Sequence, residues 1–240
     1  MSEIEIIETL RRISMVPLAD NAEGKPNSFG KALQIALGIA HKTNRRNTLG
    51  NFLVNGTTGR LSSNKRTNLF GKVPDWSVSP FKSSGEFLDA FGEPSSIEGV
   101  RRNLNCTVGA QTMNNKQLEL RVSEDMEALW EVHVHNLTET PVLCWKASTL
   151  PGRVVDRVRP QIMVEARKSD LGFRLTGANV YDNPRPETFL SLIGEGVITV
   201  DHLITEYQDA GRIVEKGPLF KIRNSARGRL YGDVRTYSLR

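Results

Sequence analysis

The spacing of apolar residues changes character along the chain. Near the start, Ile4, Ile7, Leu10 and Ile13 recur at near-helical intervals, and Glu3, Glu5 and Glu8 sit where acidic groups complement the positive end of a helix dipole. This spacing predicts an amphipathic helix over 3–14. Residues 18–29 carry the Gly, Pro, Asn and Asp of a loop. Ser28 is placed to cap a second helix over 29–41, with Leu33, Leu37 and either Ile35 or Ile39 inward. A third short helix over 83–91 turns Phe87, Leu88 and Phe91 to the core before Gly92 and Pro94 stop it.

The centre shifts to a period of two. Leu118, Leu120 and Val122 alternate with polar residues, and so do Val132 and Val134 beside His133 and His135, which predicts strands with one buried face. Residues 142–146, 161–167 and 173–180 read as further strands, whereas 124–130 fits a helical turn as well as a strand. Beyond Pro184 and Pro186, helix is predicted for 187–193 and again for 200–210, where Leu203, Ile204 and Tyr207 form a stripe ended by Gly211. The tail, 220–240, alternates small apolar and basic residues and reads as ending in a strand. Together these elements predict an α+β fold: a single mixed domain with a central antiparallel sheet, flanking helices and a flexible basic N-terminal segment. The expected division is a helical start plus basic segment over 1–80 and an α+β core over 81–240.

Residues 43–72 fit neither period. They are rich in Asn, Gly, Thr and Arg, with apolar islands only at Leu49, at 52–54 and at Leu69-Phe70. Asn55-Gly56 suits a type I′ hairpin turn, and the rest reads as an exposed, mobile loop.

Charge sharpens this picture. The net charge is only +5, but residues 25–74 hold nine Lys or Arg and no Asp or Glu, and 216–240 hold seven against the single Asp233. Residues 119–139 carry six acids against Arg121 alone. Such segregation predicts one region that attracts phosphate and another that does not. The candidate polyanion-binding residues are Lys42, Arg45, Arg46, Arg60, Lys65, Arg66, Lys72, Arg223, Arg227 and Arg229. Phosphate oxygens are bound by such groups and by Asn, Ser and Thr donors without sequence readout, and Phe52 and Phe70 are too few for a base-stacking platform. Lipid headgroups and nucleic acid both satisfy this chemistry, since each Lys or Arg near an acidic leaflet gains about 1 kcal/mol.

Catalytic signatures are sparse. No GxGxxG, GxxxxGK[ST], GxSxG or HExxH occurs. His133 and His135 would share a strand face, and Cys106 and Cys144 could complete a zinc site, although neither cysteine lies in a CxxC unit. Glu124, Asp125, Glu127 and Glu131 supply acids nearby for general acid-base work. The expectation is a protein that is not an enzyme, with no catalytic residue, no metal and no cofactor. Two cysteines and an acidic, amphipathic start predict a reducing compartment, and the apolar run 32–40 is too short to span a bilayer.

In its last third the chain resembles a known family. Residues 150–183, LPGRVVDRVRPQIMVEARKSDLGFRLTGANVYDN, followed by a helix-like segment and by AGRIVEKG at 210–217, look like the second half of rhabdovirus matrix proteins. The budding motif of many members has no counterpart, the nearest stretch being Val73-Pro74-Asp75-Trp76. The resemblance implies a viral structural protein that self-assembles and links an anionic membrane to a ribonucleoprotein, without a small-molecule substrate. It would be found in the host cytoplasm or nucleus, at the inner membrane face and in the virion. The alternatives are an RNA-binding capsid, nucleocapsid or movement protein, and a metal-dependent enzyme.

Overall fold

The structure is a computed structural model that describes residues 1–20, 28–39, 48–58, 60–150, 154, 158–209 and 211–239. In chain order its helices are α1 (Glu3–Ser14), α2 (Ser28–Ala36), α3 (Ser84–Phe91) and α4 (Phe189–Gly194). Its strands are β1 (Thr48–Leu49), β2 (Phe52–Thr57), β3 (Arg66–Gly71), β4 (Glu93–Pro94), β5 (Val100–Val108), β6 (Leu118–Val122) and β7 (Ala128–His135). They continue with β8 (Thr138–Lys146), β9 (Gln161–Ser169), β10 (Gly172–Pro184), β11 (Ile198–Tyr207), β12 (Ile213–Glu215), β13 (Leu219–Arg223) and β14 (Tyr231–Ser238). The fold is mixed α+β with mainly antiparallel pairing, as the pattern predicts.

Two compact units partition the chain, each assembled from separated stretches: 1–65, 158–185 and 227–240 in the first, 66–157 and 186–226 in the second. The first unit is a five-stranded sheet in the order β1-β2-β9-β10-β14. Every pairing in it is antiparallel except β2 with β9, which run parallel from Leu53 opposite Gln161 to Thr57 opposite Glu165. Alternation then sorts the side chains. Val54, Ile162, Val164, Ala166, Phe173, Leu175, Ala178 and Val180 turn to one face and are buried with Ile6, Ile7 and Leu10 of α1 and Phe29, Ala32 and Leu33 of α2. α1 starts with a capping box, Ser2 accepting from the Glu5 amide while Glu5 reaches back to the Ser2 amide. Glu3 then fastens this helix to β14, because the Arg235 guanidinium donates to both its oxygens at 2.9 and 2.6 Å and the Tyr237 hydroxyl donates at 2.7 Å.

The second unit holds a six-stranded sheet, β3-β13-β11-β5-β4 with β12 beside β11, and a three-stranded sheet β6-β7-β8. Phe70, Phe189 and Phe220 pack at centroid separations of 5.1 to 5.6 Å, with Trp145 edge-on to Phe220 at 5.8 Å. Also inside is an acid-base pair, His202 Nε2 lying 2.8 Å from Glu131 Oε2 with both side chains almost wholly buried.

Three sequence expectations are corrected. Residues 200–207 are strand, not helix: Ile198, Val200, His202, Ile204 and Glu206 alternate inward, and β11 is held on both sides by β5 and β13. Leu203, Ile204 and Tyr207 make a helical stripe, but on the strand Ile204 turns inward while Leu203 and Tyr207 turn to the other face, and pairing on both sides with the β-branched content decides for strand. Asn55-Gly56 is not a turn but the interior of β2, the tight connection being Gly50-Asn51. The apolar islands, expected in an exposed, mobile loop, are strand residues whose Val54 and Phe70 are buried. Helices α1 and α3, β6 and the strands near 161 and 173 lie where the periodicity predicts them.

Two measurements check this packing. Gly172, at φ +117°, would place a Cβ 2.1 Å from the Leu18 carbonyl oxygen, a backbone atom that cannot step aside. Gly172→Ala is therefore expected to destabilise the protein by about 1–3 kcal/mol in urea titration. The Arg235 guanidinium holds the Glu3 carboxyl below its ordinary 4.5. A depressed acid contributes stability that is present above pH 4.5 and lost as pH falls through the folded value. Stability should thus drop on acidification, and Glu3→Gln should flatten that drop.

Candidate nucleic-acid interface

The face of the first unit's sheet turned away from the helices carries the alternate residues of the same strands: Asn55 on β2, Gln161, Met163 and Glu165 on β9, Asn179 and Tyr181 on β10. Its polar groups are mostly neutral. The Gln161 amide donates to the Tyr231 hydroxyl, which in turn donates to the Arg159 carbonyl at 3.3 Å. Asn179 donates to Tyr181 at 3.2 Å, and the Tyr181 and Tyr231 rings lie 5.3 Å apart. Arg227 is buried against this group, its Nη1 lying 3.4 Å from Gln161 Oε1. Burial pushes its guanidinium pKa down, while the neighbouring Tyr231 and Tyr181 act in the opposite sense. Desolvation likewise raises the Tyr231 phenol to about 12.

Glu165 is the carboxylate of this face, and both its oxygens are engaged. The Leu61 amide donates to Oε2 at 3.0 Å and the Thr176 hydroxyl to Oε1 at 3.1 Å. Through Leu61, Glu165 anchors the loop that follows β2, on which Arg60 and Lys65 stand exposed.

In the second unit, Arg66 on β3 and Arg223 on β13 are register partners, 157 positions apart in sequence and both exposed. Arg66 Nη1 donates to Thr199 at 3.2 Å. β3 is the edge strand of the six-stranded sheet and β13 its neighbour, so the two cations lie side by side near that edge.

The predicted polyanion residues thus separate. Arg66 and Arg223 are brought together; Arg60, Lys65 and Arg229 are exposed; Arg227 is buried in a polar cluster and unsuited to surface attachment. Lys72 is half-buried, with its backbone carbonyl accepting from the Trp145 indole at 2.9 Å. Lys42, Arg45 and Arg46 lie outside the described residues. His133 and His135 do stack, at 6.2 Å, but His135 contacts Gln117 and Asn136, whereas Cys106 lies opposite His202 and Cys144 opposite Trp130. Burial pushes the Cys106 thiol up to about 12 and Cys144 upward as well.

Comparison with known proteins now identifies the fold's kin. A model of the MvaI/BcnI restriction endonuclease family matches residues 7–231. This chain belongs to that family. The restriction endonuclease MvaI in complex with its cognate DNA substrate aligns with a TM-score of 0.71 at 16% identity over 100% of both chains. MvaI in the absence of DNA aligns with a TM-score of 0.59 at 16% identity, over 99% of this chain and 98% of that one. No curated protein sequence matches the chain. Membership of an endonuclease family overturns the resemblance to rhabdovirus matrix proteins, together with the membrane, ribonucleoprotein and self-assembly roles it implied and the expectation that the protein is not an enzyme.

Nucleases commonly hydrolyse phosphodiesters with one or two divalent ions held by carboxylates. The described residues do not supply that donor set. No group of three or more His, Cys, Asp or Glu converges among them, β1, β2 and β3 contain no acid, and Glu165 is hydrogen-bonded at both oxygens. No catalytic step is therefore assigned to a bound ion. The acids outside the described residues are Glu23 and Asp156.

The signal that could have pointed to this face was the period-two continuation of β2 through Asn55-Gly56, concealed by the resemblance of that dipeptide to a turn. One consequence is measurable by alkaline titration. A phenol raised in the folded state contributes stability that is full below pH 10 and lost as pH rises through about 12. Tyr231 should stay protonated well above pH 10, and Tyr231→Phe should remove a step near pH 12 from the ultraviolet absorbance titration.

Proposed function

We propose that this chain binds double-stranded DNA and hydrolyses its phosphodiester backbone. The observation that carries the reading is the family match across residues 7–231, joined by the fold it shares with MvaI, which was captured with a cognate DNA substrate. The basic groups found by sequence acquire a defined ligand under this reading. Arg66 and Arg223 form a cross-strand pair of planar, permanently charged forks at a sheet rim, suited to two oxygens of a DNA strand. Exposed Arg60, Lys65 and Arg229 add electrostatic attraction without reading sequence. Of the neutral groups on the outer face of the first unit's sheet, the partly exposed Asn55 and Asn179 offer hydrogen bonds to a backbone without the repulsion of a carboxylate, while the buried Gln161, Tyr181 and Tyr231 hold that face together.

Digestion of duplex DNA, assayed with and without Mg2+ or Mn2+, should give discrete fragments. Tight duplex binding with no cleavage under any divalent ion would overturn the hydrolytic half of the proposal; no duplex binding would overturn all of it. For the binding step, Arg66→Gln with Arg223→Gln should make the dependence of log affinity on log salt shallower by about 1.8, two contacts at about 0.9 each.

A further inference from the structure

At the hairpin end of the first unit's sheet, Arg167 on β9 and Arg174 on β10 stand directly opposite one another. Both are exposed, and among the described residues no ion pair or hydrogen bond holds either. Neighbouring acids are committed or displaced. Asp20 pairs with Lys168 at 2.9 Å, Glu165 accepts from Leu61 and Thr176, and Asp170 lies in the exposed turn beyond. Like charges placed directly opposite across antiparallel strands repel, so this pair raises the energy of the free sheet.

The same two residues line a cleft of about 530 Å³ together with Ser14, Met15, Leu175 and Leu239. It opens where β14 ends, the Leu239 amide donating to the Thr176 carbonyl at 3.4 Å and leaving residues 174–175 as the sheet edge. Leu175 and Leu239, nearly wholly buried, give the cleft an apolar floor, which lowers the local dielectric and strengthens attraction for an anion. Two adjacent guanidinium forks present donors in the arrangement that phosphate oxygens accept.

We propose that Arg167 and Arg174 form a phosphate-binding subsite that seats a backbone phosphate of the bound DNA, an inference that rests on the duplex-binding reading. The loop bearing Arg60 and Lys65 is tied to the same end of the sheet through Glu165, so the subsite extends that basic strip. Binding an anion between the forks cancels their repulsion, and Met15, exposed at the rim, lies against the apolar side of the adjoining sugar.

The test compares wild type with Arg167→Gln/Arg174→Gln in two measurements. In duplex binding followed by fluorescence anisotropy, the variant's salt slope should be shallower by about 1.8. In thermal unfolding at low salt, the variant should melt higher than wild type, and a few millimolar inorganic phosphate, against chloride of equal ionic strength, should raise the melting temperature of wild type alone. Wild type that binds duplex while the variant keeps the same slope overturns the subsite and leaves the duplex-binding reading standing. If wild type binds no duplex, that reading fails, and the phosphate measurement decides the pair: an equal shift in both proteins overturns the subsite, and a shift in wild type alone sustains an anion site there.

Discussion

The parallel pairing of β2 with β9 is the constraint on which the chain's organisation depends. Antiparallel neighbours can be joined by a two-residue turn, but parallel neighbours require the chain to leave the sheet and return to the same end. Here the excursion runs from Thr57 to Gln161 and contains residues 66–157, the larger part of the second unit. Each unit is consequently built from separated stretches, because closing the first sheet encloses the beginning of the second. The same pairing removes β2 from the category of loose basic arms. Val54 must face the helices beside Ile162, and its neighbours Leu53, Asn55 and Thr57 must face the opposite way.

That geometry changes what the acid-free stretch means. Read linearly, nine cations without an acid describe a polyanion attachment segment. In three dimensions the stretch contributes α2, β1, β2 and the whole of β3, so these elements carry no acid. Its exposed cations fall at the margins, on the loop after β2 and on the rim formed by β3 and β13. Acidic residues are instead spent on internal cohesion. Glu3 clamps α1 to β14, Glu206 binds Arg101 and Arg102, Glu139 with Glu119 neutralises Arg121, and Glu131 is buried with His202. A buried pair of this kind adds little net stability over an apolar replacement, but removing one member leaves the other uncompensated in a low dielectric.

Much of the secondary structure was legible because local patterns and tertiary environment agreed. α1 was marked by its apolar stripe and acidic first turn, and β6 by strict alternation of Leu118, Leu120 and Val122. β11 carries a misleading helical stripe in Leu203, Ile204 and Tyr207, and pairing with β5 and β13 holds it extended, with Ile204 on the face opposite to the other two. Arg227 looked like a surface cation in a basic tail, yet the chain carries it under Tyr181 and Tyr231, a burial that no sequence spacing encodes.

By itself the sequence determined the α+β class, the positions of most elements and the segregation of charge. Each of these depends on composition or on neighbours within a few positions. Tertiary structure decided which cations are neighbours, since Arg66 meets Arg223 across 157 positions and Arg167 meets Arg174 only through strand register. It also decided that the acid-free stretch is a structural part of a sheet in an endonuclease fold, because a parallel pairing between residues a hundred positions apart leaves no local mark on the chain.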